Sequence, residues 1–379
     1  MSRMTVEKNI AYDDVRKRYY VTLNYGKNLK TSENVKSTKT CKSLAEARKI
    51  LRAHLVDIDK KTAIIPVDDT LESYLNYWYK TIALNNHEET TCNGYRNIIY
   101  NHLIPYFKKT KLQDINARSI NEYKAYKFKE KMISNNTLRK HYDLLKQVLK
   151  NAVFEDLLAT NPADKVKAPK TKKKEANVYS IEQAKELIKL SRDTRLEIVI
   201  DILLYAGLRR SEMLGLTWDN VDFERRLLHI RSARTQANSK IIIKAPKTEQ
   251  SNRDIPICEE LMDALLKEKS KQDRNKRYYM GKYTNSNYIV RWDNGRAYRP
   301  NYISEIFSNF IAKNNLEEIT LHNLRHTFIS IAINQGVDIA EVSRLAGHSR
   351  PSTTLDIYTH IIRKNNPDAT NTIAKALND

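Results

Sequence analysis

The chain of 379 residues has only three cysteines, Cys41, Cys92 and Cys258, scattered and without metal-ligand spacing. That excludes a disulfide framework and a cysteine zinc site, and it favours a reducing cytoplasm. No apolar run approaches the ~20 residues of a membrane-spanning helix, and the opening MSRMTVEKNI lacks the hydrophobic segment of a secretory signal. No basic amphipathic helix with Trp or Phe along one face stands out, so a membrane surface lacks its usual anchor. There is no internal repeat and no carboxylate cluster with two-metal spacing, so no metal or cofactor is expected. Acidic residues are also short, 45 Asp and Glu against 66 Lys and Arg, leaving a formal net charge of +21. An excess of that size repels itself and is tolerated when a polyanion neutralises it. The expectation is a soluble, cytoplasmic binder of nucleic acid, with an anionic membrane surface as the alternative.

The length predicts two or three domains. Residues 1–61 form a basic module with strand patterns at Lys8–Tyr12, Tyr19–Tyr25 and Val35–Cys41. A helix from Ser43 follows, with Leu44, Ala47, Ile50, Leu51 and Leu55 on one face. The pattern predicts a small three-stranded sheet plus one helix. A linker with Pro66 leads into residues 66–165, where four helical faces recur. They are Leu71, Tyr74, Leu75 and Trp78; Tyr95, Ile98, Ile99 and Leu103, ended by Pro105; Ile120, Tyr123 and Tyr126; and Leu138, Tyr142, Leu145, Leu149 and Ala152. These predict a four-helix domain.

Asn161–Glu175 then breaks the pattern with two prolines and six lysines: Lys165, Lys167, Lys170, Lys172, Lys173 and Lys174. It suits a linker that tracks a phosphate backbone, or a merely solvated connector. Residues 175–379 predict a third, mostly helical domain with a small antiparallel sheet. A capping box at Ser180 and Gln183 opens one helix, and Gly207 closes another, Arg195–Ala206. Strand candidates Leu227–Arg231, Lys240–Lys244 and Arg253–Ile257 would pair as one ribbon. The fold class is multidomain and mainly α.

Cleaving a phosphodiester requires a nucleophile, positive charge at the phosphate and a proton for the leaving oxygen. Four elements of the last domain carry such groups. Ala206-Gly-Leu-Arg-Arg-Ser-Glu212 would place Arg209 in the first turn of a helix, with Glu212 one turn on to hold a guanidinium. Leu321-His-Asn-Leu-Arg-His326 puts His322 and Arg325 on one helical face. His322 and His326 also have zinc spacing, but Asn323 stands where a zinc protease has its general base. Ala346-Gly-His-Ser349 ends a short helix at His348, and Tyr358 follows ten residues later. Lys247 sits in the polar turn Ala245–Asn252. Singly, each has a bland alternative: a surface ion pair, a turn histidine, a packing tyrosine, a solvated lysine.

Their order and spacing together closely resemble the tyrosine recombinase (phage integrase) family, as found in conjugative transposons and temperate phages. The resemblance covers 175–360 with specific motifs and 66–169 more loosely, where Asn161-Pro-Ala163 closes a segment like the family's core-binding domain. Residues 1–61 look like its arm-binding sheet domain. Ala346 departs from the leucine more often found before Gly-His, which should alter packing rather than chemistry.

The resemblance implies Tyr358 as the nucleophile of a 3′-phosphotyrosyl intermediate. It implies Arg209 and Arg325 as the phosphate clamp, Lys247 as the general acid and His322 as the general base. His348 would be a further phosphate ligand and Glu212 a supporting carboxylate. Neither metal nor ATP would be needed, and no Walker-type glycine loop is present. The implied partners are double-stranded DNA at core and arm sites, a homotetramer on that DNA, an excisionase and a host DNA-bending protein, in a nucleoid-associated cytoplasmic setting. The apolar residues of Ile361–Asp379 would pack against a neighbouring protomer. A tyrosine-type topoisomerase and a non-catalytic DNA binder remain as alternatives.

Overall fold

The computed structural model describes residues 3–27, 34–59, 64–65, 68–129, 133–171, 177–237, 240–244, 252–348, 350–352 and 354–355. The chain divides into two compact units, Met1–Lys173 and Lys174–Asp379. Among the described residues no helix is long and apolar enough to cross a membrane.

The first unit begins with an antiparallel sheet of four strands in sequential order: β1 Met4–Glu7, β2 Ile10–Asp13, β3 Arg18–Lys27 and β4 Asn34–Cys41. The expected three strands are β2 to β4. The additional strand, β1, is mostly exposed and is held by its ladder to β2, so no alternation of apolar residues marks it. Alternation along β2 to β4 turns Ile10, Val21, Leu23 and Cys41 inward against Ala47 of α1, Leu44–Asp59. Leu55, expected on that face, is half exposed; His54 is buried instead and bonds the Asn24 carbonyl at 2.9 Å.

The helical part of this unit has a second apolar core around Leu71, Trp78, Ile99, Leu103, Leu145 and Leu149. Its first helix, α2 Leu71–Tyr77, continues through a π turn, Trp78–Ala83, into the short α3 Leu84–Asn86. The next repeats the device: α4 Glu89–Ile98, a π turn at Ile99–Leu103, then α5 Ile104–Phe107. Pro105 therefore does not end this helix. The Ile104 N–H already reaches back five residues to the Ile99 carbonyl, so the proline falls in a turn whose ladder has been reset. The chain leaves the helix at Lys108, which has φ +42°.

Two longer helices complete the set, α6 Ala117–Lys129 and α7 Asn135–Phe154, the latter capped by Ser134. The first half of the expected linker packs against this body. Ala163 and Val166 are buried, and the Tyr142 hydroxyl lies 2.9 Å and 3.0 Å from their carbonyl oxygens.

In the second unit, α8 Ile181–Ser191 opens with the expected capping box, and α9 Glu197–Ala206 is almost wholly buried. After α10 Arg210–Gly215 come β5 Val221–Asp222, β6 Leu227–Ile230, β7 Ala233–Ala237, β8 Lys240–Lys244 and β9 Arg253–Pro256. The expected single ribbon is two sheets. β6 pairs with β5 and β9, whereas β8 pairs with β7, a strand whose mixed sequence ARTQA carries little apolar signal. Four helices finish the described fold: α11 Glu259–Tyr279, α12 Pro300–Lys313, α13 Leu321–Asn334 and α14 Ile339–Ala346.

Candidate active site

The buried helix α9 ends at Gly207, in the left-handed region at φ +62°. A Cβ there would collide with the Phe328 ring, so the turn requires glycine. The turn delivers Arg209 to the N-cap of α10, one residue before the expected first turn. Arg209 donates from Nη1 to Glu212 Oε1 at 2.6 Å and from Nη2 to the Gly347 carbonyl at 2.6 Å. Glu212 Oε2 also accepts the Arg209 backbone N–H at 2.9 Å. The α10 turn is thereby tied to the end of α14, 138 residues further along the chain.

Arg325, on α13, is 1% exposed and donates from Nη1 to the Gly207 carbonyl at 2.9 Å. His322 and His326 precede and follow it, their rings 4.7 Å apart and nearly perpendicular. Gly347, at φ +66°, caps α14 and releases His348, whose Nδ1 lies 2.7 Å from the hydroxyl of buried Thr354. Ala346 is fully buried with Ile329, Ile333 and Val342 in a small core of its own.

No sequence motif singles out Arg253, yet it is the hub of this network. It is buried, donates to Glu212 Oε2 at 2.8 Å from Nη2, and donates from Nε to the Leu345 carbonyl at 2.7 Å. Its guanidinium fills the space beside Gly347 where a Cβ would stand. One signal was available: alternation along β9 puts Arg253 on the same inward face as Ile255 and Ile257, an unusual place for a charge.

Burial alone would raise the Glu212 pKa. The bond and charge of Arg253, with Arg209, outweigh it and hold the carboxyl at about 2. The histidines move the other way from protonation. Burial first, then Arg325, Arg209, His326 and Arg253, lower His348 to about 4. Burial, His322 and Arg325 bring His326 to about 4. His322 is exposed, yet partial loss of water around its ring, then Arg325, Arg209 and Arg210, lower its pKa as well. At neutral pH the site thus combines fixed guanidiniums with neutral imidazoles, able to bind an anion and to accept a proton.

Five of the expected residues, Arg209, Glu212, His322, Arg325 and His348, are brought together. Lys247, Tyr358, Lys172, Lys173, Lys174 and Ile361–Asp379 lie outside the described residues. Lys165, Lys167 and Lys170 are described and exposed, on the packed half of the inter-unit segment. Among the described residues no three His, Cys, Asp or Glu side chains are placed to share a metal ion.

Residues 177–364 match the phage integrase family, and residues 70–128 match the phage integrase N-terminal SAM-like domain. The chain is 27% identical to the ICEBs1 integrase of Bacillus subtilis (strain 168), over 71% of this chain and 74% of that protein. It is 26% identical to a XerC-like tyrosine recombinase of Caldanaerobacter subterraneus subsp. tengcongensis, over 81% of this chain and 83% of that one. Among solved structures, the Tn1549 transposon integrase in complex with transposon right end DNA shares the fold, with a TM-score of 0.68 and 22% identity over 79% of this chain and 99% of that one.

Proposed function

The chain belongs to the phage integrase family and is a site-specific tyrosine recombinase of the conjugative-transposon type; from that premise we propose which residues carry its strand transfer. Tyr358 attacks the scissile phosphate, forming the 3′-phosphotyrosyl bond as the P–O5′ bond breaks. Lys247 gives the departing 5′ oxygen its proton. Arg209 and Arg325 bind the non-bridging oxygens, and His348 adds a third contact. His322 takes the tyrosine proton. Rejoining reverses these steps with a 5′-hydroxyl from the partner strand. The phosphodiester energy is retained in the covalent bond, so neither ATP nor metal enters the scheme.

The observation that carries this assignment is the convergence of Arg209, His322, Arg325 and His348 from three separated segments onto one carboxylate-braced cluster. Tyr has an ordinary pKa of about 10. Arginines fixed beside the phosphate favour its phenolate, and their charge also stabilises the five-coordinate transition state. Neutral His322 is in the state that a base requires.

Within the same reading, residues 1–61 bind arm-type sites, 66–165 grip the core site and 175–379 perform catalysis. The lysines from Lys165 to Lys174 follow the backbone between the last two. The enzyme works as a homotetramer on DNA, its C-terminal segment Ile361–Asp379 reaching a neighbour, with an excisionase and a host DNA-bending protein setting direction in the nucleoid. A nicked suicide duplex bearing the element end tests the core of this. The expected result is a covalent protein–DNA adduct that persists in EDTA and vanishes in Tyr358→Phe. Tight, salt-sensitive binding with no adduct from wild type would return the chain to a non-catalytic role.

A further inference from the structure

Beside the site, and sharing Arg209 and His322 with it, lies a groove of about 570 Å³. The hydroxyl-bearing residues Ser211, Thr235, Ser304, Ser308 and Thr320 are among those lining it, the Thr320 hydroxyl being held by Asn323. Arg210, the second arginine of Ala206–Glu212, also lines it and has no part in the clamp described above. The two neighbouring side chains diverge: Arg209 goes to Glu212 and Gly347, whereas Arg210 donates from Nη1 to Ser304 Oγ at 2.7 Å.

The Arg210 side chain is partly buried, and among the described residues it forms no ion pair. Glu318 is a carboxylate-bearing residue of the groove lining, and it is exposed. Burial lowers the Arg210 pKa, the mark of a cation held from water without a compensating anion. Drawing a guanidinium from water costs free energy that a hydroxyl returns only in part. Among the described residues the groove thus holds a partly buried guanidinium with a hydroxyl partner and no carboxylate partner.

We propose that Arg210 and the groove hydroxyls bind a second DNA phosphate, next to the scissile one on the same strand. This rests on the strand-transfer reading above. The lining offers guanidinium and hydroxyl donors, a set suited to phosphate oxygens and blind to base identity. Fixing two successive phosphates sets both the position and the direction of the strand, so Arg210 is a positioning residue for the scissile bond.

The test uses the full chain and the nicked element-end duplex, with single methylphosphonates replacing the phosphate on either side of the scissile one. Wild type, Arg210→Gln and Arg210→Lys are compared for adduct rate and for binding over a salt series. At one of the two positions the neutral linkage should slow wild type about tenfold, on the order of one lost charged contact, and leave Arg210→Gln no slower than on unmodified DNA. The slope of log affinity against log salt should fall by about 0.9 in Arg210→Gln and be restored in Arg210→Lys. Equal sensitivity of wild type and Arg210→Gln to both linkages, with an unchanged salt slope, would overturn the proposal. Should wild type bind but form no adduct, the strand-transfer reading fails, and the salt slope still decides on Arg210. Arg210→Lys keeps the charge, so failure of Arg210→Gln to fold leaves a comparison on the neutral linkages.

Discussion

Both units bury polar groups and both hold a histidine brought near pKa 4 by burial first, but with different charges around it. In the helical part of the first unit, His141 lies under the Tyr123 hydroxyl, 2.8 Å from its Nδ1, with the His102 ring 4.6 Å away. Burial, then His102 and Lys127, lower its pKa to about 4. In the second unit His348 reaches a similar value by burial and then by three arginines, Arg325, Arg209 and Arg253. The first arrangement is set by packing, with a single lysine charge added to it. The second is set partly by fixed positive charge, which an incoming anion offsets. On the proposed reading, buried polarity marks structure in one place and function in the other, and the weight of the surrounding guanidinium charge tells them apart.

Three measurements would break or sharpen that contrast. The largest effect belongs to the braced ion pairs: Glu212→Ala leaves Arg253 buried without its carboxylate and should cost about 3–5 kcal/mol. Tyr123→Phe removes one buried hydrogen bond from the helical unit and should cost about 1–3 kcal/mol. Urea denaturation of both variants compares them directly; equal losses would mean that the arginine network is no more than ordinary buried polarity.

Next in size is the response to DNA. A phosphate among the arginines should raise the His348 pKa by about one unit or more, roughly 1.4 kcal/mol per unit, and leave His141 where it is. Histidine titrations by NMR with and without the element-end duplex check this, and an upward shift of both would end the distinction. Spread over several groups is the pH dependence of the free protein. His141, His326 and His348 have folded-state pKa values near 4, below the ordinary 6.5. Between those values the unfolded chain binds more protons, so their contribution is full above about 6.5 and is lost as pH falls through about 4. Hydrogen exchange in each unit should show both weakening toward acid, with bound DNA flattening that pH dependence only in the second.

The motifs were legible because the chemistry needs particular residue types, and local signals set them in place: the capping box at Ser180, Gly207 and Gly347 as helix ends. Long-range pairing was not. Lys240–Lys244 gave no hint that its partner is Ala233–Ala237 rather than the more apolar Leu227–Ile230. Met4–Glu7 buries almost nothing, so no periodicity could reveal it. Arg253 was missed because a single charge in a strand has no spacing to compare; its weight comes from contacts 41 and 92 residues away.

The two π turns, Trp78–Ala83 and Ile99–Leu103, bear on how this protein can change length over evolutionary time. Each behaves as one residue inserted into a helix and absorbed there. Deleting one residue at Ile99–Leu103 would restore the regular ladder and leave the residues after it in register, since the extra residue is taken up within the turn. Phe107 would keep its place in the core, but Pro105 would meet a turn that demands its missing N–H. The shortened helix is therefore compatible with the fold only if Pro105 is replaced as well, so the two changes have to come together.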